Sequence, residues 1–231
     1  MKALLVVIAV LLALAVVADR VAVGVAEDRV AEELAAKGGL QGTPTVDITG
    51  FPFLTQALAG RYDDVRISLT ADQLGQPAGT RADVALHGVR VPLSAVVSGS
   101  VREVPVQRID GTATLSYALL SAQLGPGTTV TREGSGLRIT RTVPLLGRDV
   151  SLTATGSVVL DGNQLVIDVE KATGAGVDLP GFLVAQASDL LDLRYEIPAL
   201  PFGIQLTGVT PGADGVEVRV AAHDTVIAAT G

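Results

Sequence analysis

Two histidines, His87 and His223, are the only side chains here that ordinarily titrate near neutral pH, and the chain has no cysteine. A serine hydrolase needs a Ser-His-Asp set. No Gly-x-Ser-x-Gly elbow occurs, and each histidine falls in an alternating stretch among small residues, so both read as strand-surface side chains. Metal chemistry has no better footing. There is no His-x-x-x-His, no His-x-x-Glu-His and no thiolate, so neither a metal site nor a cofactor is expected. The paired acids Asp63-Asp64 and Glu32-Glu33 each lie within one predicted element and read as solvated charge. Gly134-Ser135-Gly136 is a turn, because no strand-to-helix junction surrounds it to make a phosphate cradle. These absences point away from an enzyme. One binding chemistry remains: Arg61 and Arg66, near Tyr62, are candidates for a lipid phosphate, since a planar guanidinium matches that group.

The surplus in this sequence is apolar. Hydrophobic residues make up 48% of it and aromatics only 3%. Mostly aliphatic walls suit acyl chains, because ligand pockets are lined largely by apolar groups with few polar anchors. The bulk is concentrated at Phe51, Phe53, Leu54 and Leu58, at Phe182 and Leu183, and at Ile197 to Phe202. Phe51, Phe53, Leu54, Leu58, Phe182, Leu183 and Phe202 are therefore expected to line or gate an apolar groove. Burying a methylene contributes about 0.8 kcal/mol, so ten would supply roughly 8 kcal/mol before ordering costs. Pro198 and Pro201 cannot donate to a ladder, which places an edge or opening there.

The elements that must position these residues follow from periodicity. Lys2 precedes an unbroken apolar run from Ala3 to Ala18, the mark of a signal peptide or signal anchor. The run is short for a span of roughly 20 residues. Val16-Val17-Ala18 suits cleavage, whereas renewed apolar character from Val21 to Ala26 suits an uncleaved anchor. Residues 1–18 are thus a leader and 19–231 one domain, working outside the cytoplasm at or near a membrane. With no disulfide, that domain is stabilised by packing alone. The net charge of -7 argues against nucleic acid and against simple electrostatic adhesion to anionic lipid.

Residues 20–37 repeat apolar side chains at helical spacing up to Gly38-Gly39. A short strand over Val46 to Gly50 leads into a helix over Phe51 to Gly60, with Phe53, Leu54, Ala57 and Leu58 on one apolar face. From Arg61 the period becomes two, continuing through Ala82 to Val97 and Val104 to Ala113. A helix is predicted over Thr114 to Leu124, then strands over 128–132, 136–143, 148–159 and 164–169, with Asp161-Gly162-Asn163 as a hairpin turn. Another helix covers Leu179 to Asp192, and strands over Leu193 to Thr210 and Val216 to Ala222 close the chain. Helices never alternate regularly with strands, so the class is α+β, a long curved antiparallel sheet wrapped around helices.

Two motifs carry a resemblance. Gly50-Phe-Pro-Phe-Leu-Thr-Gln-Ala-Leu-Ala-Gly-Arg-Tyr-Asp-Asp-Val-Arg66 resembles a hallmark of the actinobacterial LmeA-like family of cell-envelope phospholipid-binding proteins. The run from Leu179-Pro-Gly-Phe-Leu183 through Arg194-Tyr-Glu-Ile-Pro-Ala-Leu-Pro-Phe-Gly203 to Leu206-Thr-Gly-Val209 is similar to the same family. The resemblance covers nearly the whole chain and is weakest over residues 100–145. It implies phospholipid binding, phosphatidylinositol-type lipids included, and a link to mannan elongation of lipomannan in mycobacteria. It also implies a fold similar to tubular lipid-binding (TULIP/BPI-like) domains, and carries over no catalytic residues. The expected function is a non-enzymatic, lipid-binding or lipid-shuttling module. The alternative is a structural or regulatory partner of an envelope glycosyltransferase or wall-assembly complex, with the apolar clusters as plain core.

Overall fold

The computed structural model describes residues 2–98, 100–145, 148–162, 164–174, 177–178, 194–196 and 203–228. The chain divides into two compact units. The first comprises Met1–Leu69, Asp83–Gly111 and Ala221–Gly231; the second comprises Thr70–Ala82 and Thr112–Val220.

In the first unit, α1 runs unbroken over Lys2–Gly38, 37 residues and so about 55 Å long. The leader and the helix predicted over 20–37 are therefore one element. No proline interrupts it, and its Ala, Leu and Glu are strong helix formers. It ends where expected, with Gly39 at φ 63°. Side chains from Leu4 to Val17 are exposed, whereas Asp19, Val23 and Ala31 are buried. The helix is long and apolar enough to cross a membrane, and a signal sequence near an N-terminus has the same character. β1 (Thr45–Thr49) pairs antiparallel with β2 (Arg61–Leu69), placing Ile48 opposite Val65 and Val46 opposite Ile67. Between them lies α2 (Phe53–Ala59), stopped by Gly60 in the left-handed region at φ 64°.

β3 (Arg81–Arg90) follows α3 (Ala71–Leu74), which is closed by a capping box between Thr70 and Gln73. The alternating pattern predicted through Val97 breaks early. Pro92 cannot donate to a ladder and instead stands at the N-cap of α4 (Leu93–Val97). β4 (Glu103–Ser116) takes the first three residues of the helix predicted over 114–124, so α5 begins only at Tyr117 and spans Tyr117–Gln123. Ser116 makes the switch possible: its hydroxyl accepts the Leu119 N–H at 3.2 Å and the Thr80 hydroxyl at 3.0 Å.

β5 (Thr128–Glu133), β6 (Gly136–Leu145), β7 (Arg148–Asp161) and β8 (Gln164–Gly174) form antiparallel neighbours, with β9 (Val177–Asp178) and β10 (Arg194–Glu196) on β8. The predicted hairpin at Asp161 is present, with Asp161 opposite Gln164. The predicted strand over Leu193 to Thr210 is not one strand. β10 belongs to this sheet, whereas β11 (Gln205–Pro211) pairs with β12 (Gly215–Ala228) in the other, whose order is β1-β2-β3-β4-β12-β11. The class is α+β, as expected. The core of the second unit gathers Leu120 from α5, Val130, Leu137, Ile139, Ala154 and Leu165 from the second sheet, and Val216 and Val218 from β12.

Candidate functional site

α2 turns its apolar residues two ways. Phe53 and Ala57 are buried at 6% exposure each, and the Phe53 ring lies 6.2 Å from that of Tyr62. Burial pushes the Tyr62 phenol above its ordinary range, so it is neutral at physiological pH. Leu54, Leu58 and the preceding Phe51 face solvent, at 39%, 77% and 64% exposure. The predicted single apolar face of Phe53, Leu54, Ala57 and Leu58 is thus split: one pair is core, and the leucines form a tip with Phe51. Pro52 at the N-cap has no side chain to cap the helix. That role falls to Asp19, only 2% exposed, whose carboxylate accepts the Leu54 N–H at 2.8 Å, the Phe53 N–H and the Arg20 guanidinium at 2.6 Å. A carboxylate also suits the positive end of a helix. Arg20 in turn lies over the Phe51 ring, 5.3 Å from its centroid. The apolar tip is therefore fastened to α1 one residue beyond the end of the apolar run. Sequence reasoning passed over Asp19; its signal was a lone acid-base pair interrupting an apolar helix.

Beside the tip is a cleft of about 290 Å³, lined by Leu58, Ala59, Gly60, Arg61, Arg90, Pro92, Leu93 and Ser94. Its size is close to the lower end of ligand pockets, about 300 Å³. Two arginines and two leucines give it one cationic and one apolar character. Arg61 was expected here; Arg90 was missed, because only the pairing of β2 with β3 brings it alongside. Arg66, the other headgroup candidate, does not line the cleft. Asp64 holds it, with the carboxylate oxygen 2.9 Å from Nη2 and 3.0 Å from Nε.

A second space, about 20 Å³, is lined in the second unit by Leu120, Leu124, Val130, Leu137, Val158, Leu165, Ile167 and Val216. Among the described residues that is room for about one water, and its lining is apolar. Phe182, Leu183 and Phe202, with Pro198 and Pro201, lie outside the described residues.

The histidines sit on strands, as expected. His223 is exposed on β12. His87 lies between two carboxylates, with Nδ1 3.6 Å from Asp64 Oδ1 and Nε2 3.2 Å from Asp110 Oδ2. Among the described residues no cluster of His, Asp and Glu is arranged to hold a metal.

A family model described as LmeA-like phospholipid-binding matches residues 17–221. No curated protein and no solved structure matches the chain. The family match begins at the end of the apolar run, takes in α2, the cleft and both sheets, and covers most of the sequence. The chain belongs to the LmeA-like phospholipid-binding family.

Proposed function

We propose that this protein is a non-enzymatic phospholipid-binding protein of the cell envelope, with residues 19–231 as its lipid-binding part. Phospholipid binding itself is the property of its family. The acyl chains would lie on the tip formed by Phe51, Leu54 and Leu58, with Phe53 beneath as support; Phe182, Leu183 and Phe202 are further lipid-binding candidates from the sequence. The observation that carries this reading is the exposure of three large apolar side chains around one seven-residue helix, next to a cleft that holds two arginines. A patch of that kind marks a lipid or partner surface. α1 would deliver the protein across the membrane or hold it there. Shuttling between leaflets and a contribution to lipoglycan assembly are the finer parts of the proposal.

Extraction of lipid from the purified full chain, followed by mass spectrometry, tests it. Phospholipid near one molecule per chain is expected. Lipid-free protein that still takes up none after refolding would contradict it. That outcome would favour the second reading, a regulatory partner of an envelope assembly.

A further inference from the structure

Arg61 and Arg90 occupy adjacent antiparallel strands. The Val91 N–H donates to Gly60 O at 3.0 Å, and the same offset brings Asp64 to His87 and Ser68 to Asp83. That register puts Arg61 directly opposite Arg90, with Cβ atoms about 5 Å apart by the geometry of such pairs. Like charges placed so repel and destabilise the sheet. Elsewhere in the first unit the same problem is solved with acids: Arg66 has Asp64 and Arg108 has Asp110, at 2.9 and 2.7 Å. Arg61 and Arg90 have no ion-pair partner among the described residues, although Asp63 stands two positions along β2. Both remain exposed, and both line the cleft that Leu58 and Leu93 share.

From this geometry we infer that Arg61 and Arg90 form the phosphate subsite for a phospholipid headgroup, with the first part of the acyl chains against Leu58 and Leu93. The inference rests on the phospholipid-binding reading above and deepens it. Two guanidiniums, each a planar fork of donors, can share the non-bridging oxygens of one phosphodiester. The anion removes their mutual repulsion, so the lipid supplies a counter-charge that the protein omits. Gly60 makes the approach possible. It sits at φ 64°, and a Cβ there would meet Pro92 Cα at 3.0 Å and Val91 O at 3.1 Å, so a side chain would press on the backbone that lines the cleft.

The test uses the full chain in detergent micelles, with phosphatidylglycerol, a diacylglycerol of the same acyl chains, and inorganic phosphate as separate probes. Wild type should retain phosphatidylglycerol. R61Q/R90Q should retain it at least about tenfold less, with diacylglycerol retention unchanged, while R61K/R90K falls between. Without lipid, R61Q should unfold at the same or a higher urea midpoint than wild type, because it relieves repulsion; an arginine with a purely structural role would lower that midpoint. Equal phosphatidylglycerol retention by wild type and R61Q/R90Q overturns the subsite and leaves phospholipid binding standing. Wild type that retains neither lipid overturns the functional reading, and the subsite with it. Inorganic phosphate binding wild type as tightly as phosphatidylglycerol does, and not binding the double variant, would make this a free-anion site and overturn the headgroup assignment.

Discussion

At the scale of single residues, what matters is which polar groups are paired and with what. Ser116 serves two partners at once, as N-cap of α5 and as acceptor for the buried Thr80 hydroxyl. S116A removes the cap and strands that hydroxyl, so it should cost about 1–2 kcal/mol, read as a lower urea midpoint with unchanged slope. The Glu133–Arg138 pair makes a pH prediction. The hydrogen bond from Arg138 holds the Glu133 carboxyl below its ordinary value of 4.5. The pair's small contribution is therefore present above that value and lost as the pH falls through the lower folded one. Titrating the urea midpoint from pH 7 to 3 should show wild type losing slightly more than E133Q. The pair is exposed at the β5–β6 turn, so the difference is small.

At the scale of elements, α2 is the piece on which the proposed site depends, and it is held at both ends from elsewhere in the chain. G60A forces an alanine into the left-handed region and against Pro92, and should destabilise by about 1–2 kcal/mol while lowering lipid uptake. D19A should leave the Phe53 and Leu54 amides without their acceptor, seen as faster hydrogen exchange at those two positions while the β6–β7 amides are unchanged. Much of this element was legible in the sequence. Gly60 and Pro52 bracket the helix, and the alternation after Arg61 makes β2, since both signals are local. What was not legible depends on contacts distant in sequence. Helical periodicity alone cannot say which of Phe53 and Leu54 turns inward; Tyr62, across the turn, decides that. Asp19 is a cap contributed from 35 residues away. Arg90 becomes a site residue only through the strand register, and a proline-blocked strand with its short helix, α4, hid behind an alternating pattern at Leu93 to Val97.

At the scale of the whole molecule, the proposal is an envelope protein that meets lipid through apolar surface, with two arginines and not general positive charge to select the headgroup. The net charge of -7 argues against broad electrostatic adhesion to anionic membranes, so binding should weaken only modestly with salt. Family membership supplies the lipid class, and α1 is long and apolar enough to cross a membrane. The most direct test of the central claim is native mass spectrometry of the full chain released from phospholipid-containing micelles, run beside circular dichroism on wild type, L58D and F53D. Leu58 is exposed, so L58D should keep its secondary structure yet lose the mass increment of one bound phospholipid that wild type shows. Phe53 is core, so F53D should unfold the first unit by burying an unpaired charge. Folded L58D that carries phospholipid as wild type does would contradict the assignment of the α2 tip, and wild type with no increment would contradict lipid binding itself.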